Sequence, residues 1–539
     1  MSFAPHLRRA AHIFSATVVA GLLAAGTALA LPSWSSDFNI SEGEVNETYT
    51  GLNGQRFAVV DDSNNLYISF WDNRNKVGSD NNFEIYFRRF IYNFGSPSIT
   101  RVTNASNPSK YGALATHNWG ADDAATAADS GRIYIAWQDS RLYSIPSAGE
   151  PKSYNTYFRT FQSRGGAGFG PEIQVSPYDS INAATSPVVA CGDSSRVFIV
   201  YQRANNGNTE LYYAVYHSDT RVMDAEQPLT NDPNFSGLAT VAATRDGVVH
   251  VVWTDTRIFA RNQIWWKRFV PGIGWSPDSQ IVVSSGQATT PSLAATRSGH
   301  LHMVWRDNRD GQNEIYYKEY TPAGGWDAVD TRLTINSASQ IQPQVDADPM
   351  DNVYVVWTDS RVSASDPDIW YIERKGGVWG AETPLVYSAT DPTNSVQQFP
   401  GIAHDGIAEL YVTWTDERLP ASIGKNKDAY YKVGTGVVTA VEGTPTPSVS
   451  RLLRNYPNPF NPLTKVHFTL NHDGQALLRA FDVHGRLVRT LVDSYITAGS
   501  RTVEWDGRDD RGVSLASGTY FLRLEAAGNF ESRTVTLLK

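Results

Sequence analysis

An aspartate and an arginine recur together along this chain, each time just after an aromatic residue that ends a short apolar run. The Asp lies two residues and the Arg four residues after the aromatic, as in Trp253-Thr254-Asp255-Thr256-Arg257. A carboxylate and a guanidinium group can bind a sugar, or they can form charge-assisted hydrogen bonds that fix a loop. Because the pair occurs in nearly every copy, we expect it to hold the repeating unit together, and a repeated sugar-binding site is the alternative. Six copies carry the pattern, headed by Phe70, Trp137, Trp253, Trp305, Trp357 and Trp414, and a seventh, at Tyr201, keeps only the aromatic.

An acid or amide also recurs where the next strand of each copy begins. It lies across a predicted hairpin from the Arg, so we expect Arg309 to pair with Glu314 and Arg361 to pair with Asp368. The residues at this position are Glu84, Asn155, Glu210, Gln263, Glu314, Asp368 and Asp428.

The remaining residues of metal-binding or nucleophilic type do not form a recognisable set. His250 and His302 occupy the same position of adjacent copies, where the other copies carry Tyr or Phe, so the pattern predicts a packed ring rather than a metal ligand. Cys191 is the only cysteine and is expected to be a small buried hydrophobe. We predict no metal site and no cofactor; structural Ca²⁺ at the acidic turns 61–65 and 346–348 is the alternative, although neither turn has EF-hand spacing.

The spacing of the repeated aromatic residues, which we call anchors, indicates the fold. Trp253, Trp305 and Trp357 are 52 residues apart, and Tyr201 lies another 52 residues upstream. Each copy contains four short runs rich in β-branched and aromatic residues, separated by Gly, Asn, Asp and Pro, which is typical of strands joined by turns. Four strands in about fifty residues form one blade of a β-propeller. The sequence therefore predicts an all-β protein with a seven-bladed propeller.

The two ends of the repeat region predict how the ring closes. The last copy lacks a fourth strand, and the extended stretch Asp37-Phe38-Asn39-Ile40 is available to supply it. We expect a signal peptide at 1–30, the propeller at 31–433, a linker at 434–450 and a small Ig-like β-sandwich at 451–539. The signal peptide is indicated by basic residues at 8 and 9, an apolar stretch at 13–29 and small residues before the cleavage site.

Charge and hydropathy exclude some classes of partner. The formal net charge is −9 and no basic stripe is present, so we predict no nucleic-acid partner. After the signal peptide, no stretch is long and apolar enough to suggest a membrane-spanning helix. The chain is therefore expected to be exported and either secreted or held at the cell surface.

The region from 451 to 539 contains four distinctive motifs: Asn455-Tyr456-Pro457-Asn458-Pro459-Phe460-Asn461-Pro462, Asp482-Val483-His484-Gly485-Arg486, Trp505-Asp506-Gly507 and Ser517-Gly518-Thr519-Tyr520. With these motifs, the region resembles the FlgD-type Ig-like domain, which is similar to the C-terminal sorting domains of type IX secretion. The resemblance implies an exported protein of a Gram-negative-type bacterium. Two interpretations of the domain remain open: a sorting signal for secretion, or a retained structural module.

The propeller region is more loosely similar to sialidase-like repeat propellers, through the Gly-x-x-Trp turns at 272–275 and 376–379. The Arg-Ile-Pro segment and the Asp-box of sialidases are not matched, so no catalytic residues are assigned. We interpret the chain as a surface or extracellular binding protein for a glycan or a surface protein. A carbohydrate-active enzyme on the same scaffold is the alternative.

The loops after the anchors vary most between copies, and variable loops on a rigid scaffold commonly carry function. They share one face of the propeller with the loops that join successive blades. The sequence predicts ligand binding in the sector of copies two to four of this face, where copy three places Arg203 at the position of the usual Asp. The candidate ligand-binding residues are Tyr143, Lys152, Tyr154, Arg203, Phe259 and Arg261.

Overall fold

The computed structural model describes residues 32–435 and 451–538, with gaps at 36, 42–47, 51–54, 62–64, 75–82, 91–97, 106, 117–131, 143–152, 163–167, 180–181, 194, 206, 259, 387–394, 406–408, 419–426, 457–459, 461, 471, 498 and 527–528. Every regular element within these ranges is a strand. The described residues contain no helix long and apolar enough to cross a membrane.

The strands up to residue 435 form seven sheets. The chain begins with the short strands β1 (Ser33–Trp34) and β2 (Phe38–Asn39). The first complete sheet contains β3 (Thr48–Tyr49), β4 (Ala58–Val60), β5 (Leu66–Asp72), β6 (Glu84–Phe90) and β7 (Ser98–Arg101). The second contains β8 (Ser109–Thr116), β9 (Arg132–Asp139), β10 (Asn155–Gln162), β11 (Gly168–Phe169) and β12 (Ile173–Gln174). The third contains β13 (Ala184–Cys191), β14 (Arg196–Asn205), β15 (Asn208–His217), β16 (Val222–Met223) and β17 (Gln227–Pro228).

The next three sheets repeat this plan with nearly constant strand lengths. The fourth contains β18 (Ser236–Ala243), β19 (Val249–Asp255), β20 (Gln263–Val270), β21 (Gly274–Trp275) and β22 (Ser279–Val282). The fifth contains β23 (Ala288–Ala295), β24 (Leu301–Asp307), β25 (Glu314–Thr321), β26 (Gly325–Trp326) and β27 (Thr331–Arg332). The sixth contains β28 (Gln340–Ala347), β29 (Val353–Asp359), β30 (Asp368–Lys375), β31 (Val378–Trp379) and β32 (Thr383–Val386).

The seventh sheet joins the two ends of this part of the chain. It contains β33 (Gln397–His404), β34 (Glu409–Asp416) and β35 (Asp428–Thr435) together with β1 and β2. Phe38 lies opposite Tyr431 and Asn39 opposite Tyr430, so the predicted closing stretch does pair with the last copy. β1 adds a second closing contact that was not predicted.

The innermost strands surround a common axis. Each of β4, β8, β13, β18, β23, β28 and β33 contacts the next, and β33 contacts β4. This closed ring of sheets is a β-propeller, and the predicted all-β fold class is confirmed. The anchor strands, such as β19 and β29, are buried along their whole length because neighbouring sheets cover both of their faces. That burial explains their continuous apolar runs.

A β-bulge recurs near the start of six inner strands, where the register shifts between the first two strands of the sheet. One non-glycine residue at each bulge has a left-handed backbone, with φ between 51° and 59°. A bulge bends the strand, and six bulges at equivalent positions place the same bend around the axis. These residues are Tyr111, Ser186, Leu238, Thr290, Gln342 and Phe399.

The strands from residue 451 onwards form two sheets of a separate fold. One sheet contains β36 (Arg451–Tyr456), β37 (Thr464–Leu470) and β40 (Gly499–Trp505). The other contains β38 (Gly474–Phe481), β39 (Leu487–Ile496), β41 (Gly518–Ala526) and β42 (Asn529–Leu537). Phe468 and Trp505 from the first sheet share a core with Leu478 and Leu522 from the second. The predicted Ig-like sandwich is confirmed, whereas the domain boundaries stay predictions; β35 ends at Thr435 and β36 begins at Arg451.

Candidate functional site

The repeated aspartate is the centre of a hydrogen-bond network inside each blade. In the fifth sheet, Asp307 is fully buried and accepts hydrogen bonds from Trp305 Nε1 at 3.2 Å, Arg309 N at 2.9 Å and Arg309 Nη2 at 2.6 Å. Ser284 Oγ donates a fourth at 2.7 Å. A buried carboxylate requires such donors because it has lost its water. The same Trp-to-Asp bond occurs at Asp139, Asp255, Asp359 and Asp416.

The repeated arginine does not pair with the acid across the hairpin, so that prediction was wrong. Arg309 packs over the ring of Tyr316, at 4.5 Å from its centroid, and Nη1 reaches Asp330 on the outer segment of the blade at 2.7 Å. The Arg309 side chain crosses the third strand of the blade and does not stop at Glu314, the first residue of that strand. The equivalent pairs are Arg141 with Glu172, Arg257 with Asp278 and Arg361 with Glu382.

The acid that was expected to meet the arginine has a different structural task. Glu314 pairs with Arg332 at 2.6 Å and accepts a hydrogen bond from Thr334 Oγ1 at 2.6 Å. Thr334 Oγ1 in turn accepts a hydrogen bond from Ile315 N at 2.9 Å. Glu314 therefore fixes the segment that runs from the outer strand of this blade to the next blade.

The third sheet, which departs from the motif, reaches the same outcome by another route. Arg203, two residues after Tyr201, forms an ion pair with Glu226, and the Tyr201 hydroxyl donates to the same carboxylate. Arg203 also lies 3.4 Å from Asp179 and packs over the ring of Tyr212 at 5.3 Å. Its guanidinium group thus performs the task that the later arginine performs in other blades.

The closing strand supplies the matching acid for the last blade. Asp37 accepts a hydrogen bond from Arg418 Nη1 at 2.8 Å and lies 2.9 Å from Lys432 Nζ. Asp330 has the same two partners in the fifth blade, with Arg309 at 2.7 Å and Lys318 at 2.8 Å. The two ends of the propeller are therefore joined by the same ion-pair arrangement that is found within a continuous blade.

The two repeated histidines are packed rings, as the sequence predicts. His250 stacks on Trp266, whose Nε1 donates to His250 Nδ1 at 3.2 Å. His302 stacks on Tyr317, with Nδ1 at 2.8 Å from the tyrosine hydroxyl. Burial lowers the pKa of His250 to about 3 and that of His302 to about 4, so both rings are neutral at pH 7.

One carboxylate of each acidic turn is bound close to the turn, whereas Asp346 pairs with Arg56 at 3.3 Å and accepts the His404 N–H at 2.8 Å. Asp61 accepts hydrogen bonds from Asn65 N at 2.9 Å and from the Tyr67 hydroxyl at 3.1 Å. Asp348 accepts from Asn352 N at 3.0 Å and from the Tyr354 hydroxyl at 2.9 Å. Within the described ranges, no group of three His, Cys, Asp or Glu residues is arranged to hold a metal ion. Cys191 is buried in an apolar cluster.

The residue directly after each anchor differs from blade to blade and lies at a junction between two blades. Gln138 Oε1 accepts the N–H of Ser186 at 3.1 Å, and Gln202 Oε1 accepts the N–H of Leu238 at 2.6 Å. Both acceptors serve the left-handed residue of the following blade. The other blades carry Trp71, Thr254, Arg306, Thr358 and Thr415 at this position.

The predicted ligand-binding residues are placed only in part. Tyr143, Lys152 and Phe259 lie outside the described residues. Tyr154 is half-buried just before β10, and Arg261 is exposed, with Nη1 donating to the Ser285 carbonyl at 2.9 Å. Their role in ligand binding, like that of Arg203, stays a prediction.

The axis of the propeller is partly closed by a polar side chain. Gln55 is buried, and its Nε2 donates to the Pro187 carbonyl at 2.8 Å. A cavity of about 10 Å³ beside it is lined by inner-strand residues that include Val189, Leu293, Ser292 and Gln344. This part of the channel is thus narrow and has both polar and apolar side chains in its lining.

Two features of this face were not predicted from the sequence. An acid stands 25 residues after the anchor in four copies, namely Glu226, Asp278, Asp330 and Glu382, and this spacing was available in the sequence. The second is Arg306, which is half-buried without an ion pair; no sequence pattern indicates that property.

Comparisons with known proteins gave a match to one family model and several structural likenesses. The family model of the FlgD Ig-like domain matches residues 463–529. Comparison with curated protein sequences gave no match. Among solved structures, a Dyadobacter fermentans protein of unknown function is 10% identical over 74% of this chain and 99% of its own, with a TM-score of 0.40. The Hadza microbial sialidase Hz136 is 11% identical over 65% of this chain and 73% of its own, with a TM-score of 0.39.

A third similar structure is PorZ, a surface component of the type-IX secretion system of Porphyromonas gingivalis. It is 12% identical, covers 89% of this chain and 70% of its own, and has a TM-score of 0.30. The chain combines a β-propeller with a C-terminal region that is similar to the FlgD Ig-like domain. Likenesses at these TM-scores carry no argument about activity.

Proposed function

We propose that this chain is an exported bacterial binding protein whose propeller binds a ligand on the face where the anchor strands end. The observation that carries the proposal is the contrast between two adjacent positions. The Asp two residues after the anchor is present in six copies, and its carboxylate is used in hydrogen bonds within the blade. The residue before it is Gln, Thr, Arg or Trp, depending on the copy. Variation beside a fixed framework is typical of a binding surface.

The C-terminal domain supports the exported location. Its likeness to the FlgD Ig-like domain is specific to the region after residue 450, which fits a module added to a propeller that has its own core. Both interpretations of the module, a sorting signal and a retained structural domain, are consistent with a protein that works at or outside the cell surface. We propose a glycan as the ligand class, with a surface protein as the alternative partner.

The test is a combined screen of the purified chain against a glycan array and a panel of chromogenic glycosides. We expect saturable binding of at least one glycan without release of the chromophore. Release of the chromophore would favour the carbohydrate-active enzyme instead. Failure to retain any glycan would contradict the proposed ligand class.

The predicted sector of blades two to four is tested by substitution. A variant with Tyr143, Lys152 and Tyr154 replaced by Ala should lose binding of a glycan found in the screen and keep the melting temperature. Arg203 is left unchanged in this variant, because its ion pair with Glu226 supports the blade. Undiminished binding by the triple variant would place the ligand in another sector of the face.

A further inference from the structure

The residue after the anchor makes a hydrogen bond to the backbone of the following blade at some junctions and not at others. At three junctions, the residue after the anchor offers an oxygen to a backbone N–H of the following blade. Gln138 takes the N–H of Ser186, Gln202 takes that of Leu238, and Thr415 Oγ1 takes that of Thr50 at 3.1 Å. At Gln138 and Gln202, the side-chain acceptor therefore satisfies a backbone N–H at a β-bulge, where the register of the sheet shifts.

Arg306 occupies this position in the fifth blade, and its side chain points toward the sixth. Side chains alternate along a strand, so Arg306 lies on the same side of β24 as Val304. Val304 packs against Val345, Val353 and Trp357 of the sixth blade. The left-handed residue of that blade is Gln342. An arginine carries only donors, so Arg306 cannot accept the Gln342 N–H as a glutamine would.

Among the described residues, the Arg306 side chain has no hydrogen-bond or ion-pair partner. Its Nε is buried and has no hydrogen bond, and no carboxylate of the described residues pairs with its guanidinium group. Burial lowers its pKa, with no opposing charge to raise it. The neighbouring Gln342 Oε1 already accepts hydrogen bonds from Thr358 Oγ1 and from Phe399 N, both at 2.8 Å. A half-buried cation beside the register shift at Gln342 is costly unless an anion completes the group.

We propose that the junction between β24 and β28 binds the carboxylate of a small ligand, which accepts hydrogen bonds from the Arg306 guanidinium group and from the Gln342 N–H. A planar carboxylate matches the donor fork of arginine. One cation on a protein of net charge −9 favours a single anionic group over a polyanion, which the overall charge repels. This inference rests on the proposed binding function and names the chemical group that the ligand carries.

The test uses three probes at constant ionic strength: acetate, glucuronate and glucose. Their binding to the full chain is followed by saturation-transfer NMR titration. We expect acetate and glucuronate to bind saturably and glucose to bind more weakly than glucuronate. Saturable binding of glucuronate without acetate would mean that sugar contacts add to the carboxylate contact. Glucose that binds as tightly as glucuronate, or no saturable binding of either anion, would overturn the proposal.

The decisive variant is Arg306→Gln, which installs the residue of the equivalent junctions at 138 and 202. We expect it to bind glucuronate about tenfold more weakly or worse, because a charge-assisted hydrogen bond is lost. It should also melt at a higher temperature, since the Gln accepts the Gln342 N–H and the unpaired charge is gone. Arg221→Gln removes the same charge from an exposed position and is the matched control.

Equal glucuronate binding by wild type and Arg306→Gln would overturn the proposal, whatever the melting temperatures are. If Arg306→Gln left glycan binding in the array unchanged, the carboxylate site would fail while the proposed binding function stood. If no glycan bound to any form of the protein, the proposed function itself would fail.

Discussion

Replacing Asp37 with Asn tests whether the closing strand is held like any other outer strand. Asp37 pairs with Arg418 at 2.8 Å and Lys432 at 2.9 Å, and the Asp37 and Arg418 side chains are each 20% exposed. Hydrogen bonds to charged groups contribute roughly 1.5–3 kcal/mol each. Three factors reduce the loss. The Asn side chain keeps one acceptor oxygen, and Arg418 keeps its ion pair with Asp416. Solvent also screens the partly exposed charges. We therefore expect Asp37→Asn to lower the free energy of unfolding by about 3 kcal/mol.

The matched control is Asp330→Asn in the fifth blade. Asp330 has the same pair of partners at nearly the same distances, but its strand is continuous with the chain on both sides. Urea denaturation of both variants, followed by tryptophan fluorescence, gives the two losses. The reasoning predicts similar losses. A neutral Asp37→Asn beside a destabilising Asp330→Asn would mean that the closing strand does not hold the ring.

Four further predictions concern stability. Burial lowers the pKa of His302 from 6.5 to about 4, so as the pH falls the unfolded chain takes up a proton before the folded chain does. The free energy of unfolding should therefore fall between about pH 6.5 and pH 4 by roughly 1.4 kcal/mol per pH unit. The melting temperature of His302→Tyr should vary less with pH across this range than that of the wild type. Glu226→Gln removes the shared partner of Arg203 and Tyr201 and should lower the urea midpoint, as Asp330→Asn does; no change would contradict the role assigned to Arg203. Deleting residues 33–41 should lower the melting temperature markedly, and an unchanged calorimetric transition would rule out their closing role. A chain that ends at residue 436 should melt as the propeller of the full chain does, and aggregation or loss of strand signal in circular dichroism would place the domain boundary elsewhere.

The fold was predictable because its signals are periodic. The 52-residue spacing of the anchors, the continuous apolar runs and the missing last strand each follow from how blades bury both faces of a sheet. The closing pairing of Phe38 with Tyr431 follows from the same logic, since a ring leaves no free strand edge.

The partner of each repeated arginine was not predictable from nearest spacing. Asp307 lies opposite Glu314 in the hairpin register, so the shortest path from Arg309 led to Glu314. The side chain instead extends over the ring of Tyr316 to Asp330, because a long guanidinium side chain gains from covering an aromatic face. The position of the acid in the repeat was visible, but its contact depends on packing between strands that spacing alone does not describe.

The partial burial of Arg306 and its lack of an ion pair could not be predicted from the sequence. Its type is ordinary at a strand end, and only the packing of β24 against β28 leaves it half-buried without an ion pair. The equivalent glutamines at 138 and 202 explain the difference, since their oxygen atoms serve a donor that an arginine cannot serve.

Hydrogen–deuterium exchange of the full chain, with and without a glycan found in the screen, tests the location of the binding face most directly. We expect slower exchange in the segments that follow Trp137, Tyr201, Trp253 and Trp305, where the anchor strands end, and in the blade-joining segments beside them. The turns at 244–247 and 296–299 lie at the other end of two of these strands and should exchange at unchanged rates. Protection confined to those turns, or no protection on either face, would contradict the proposed binding face.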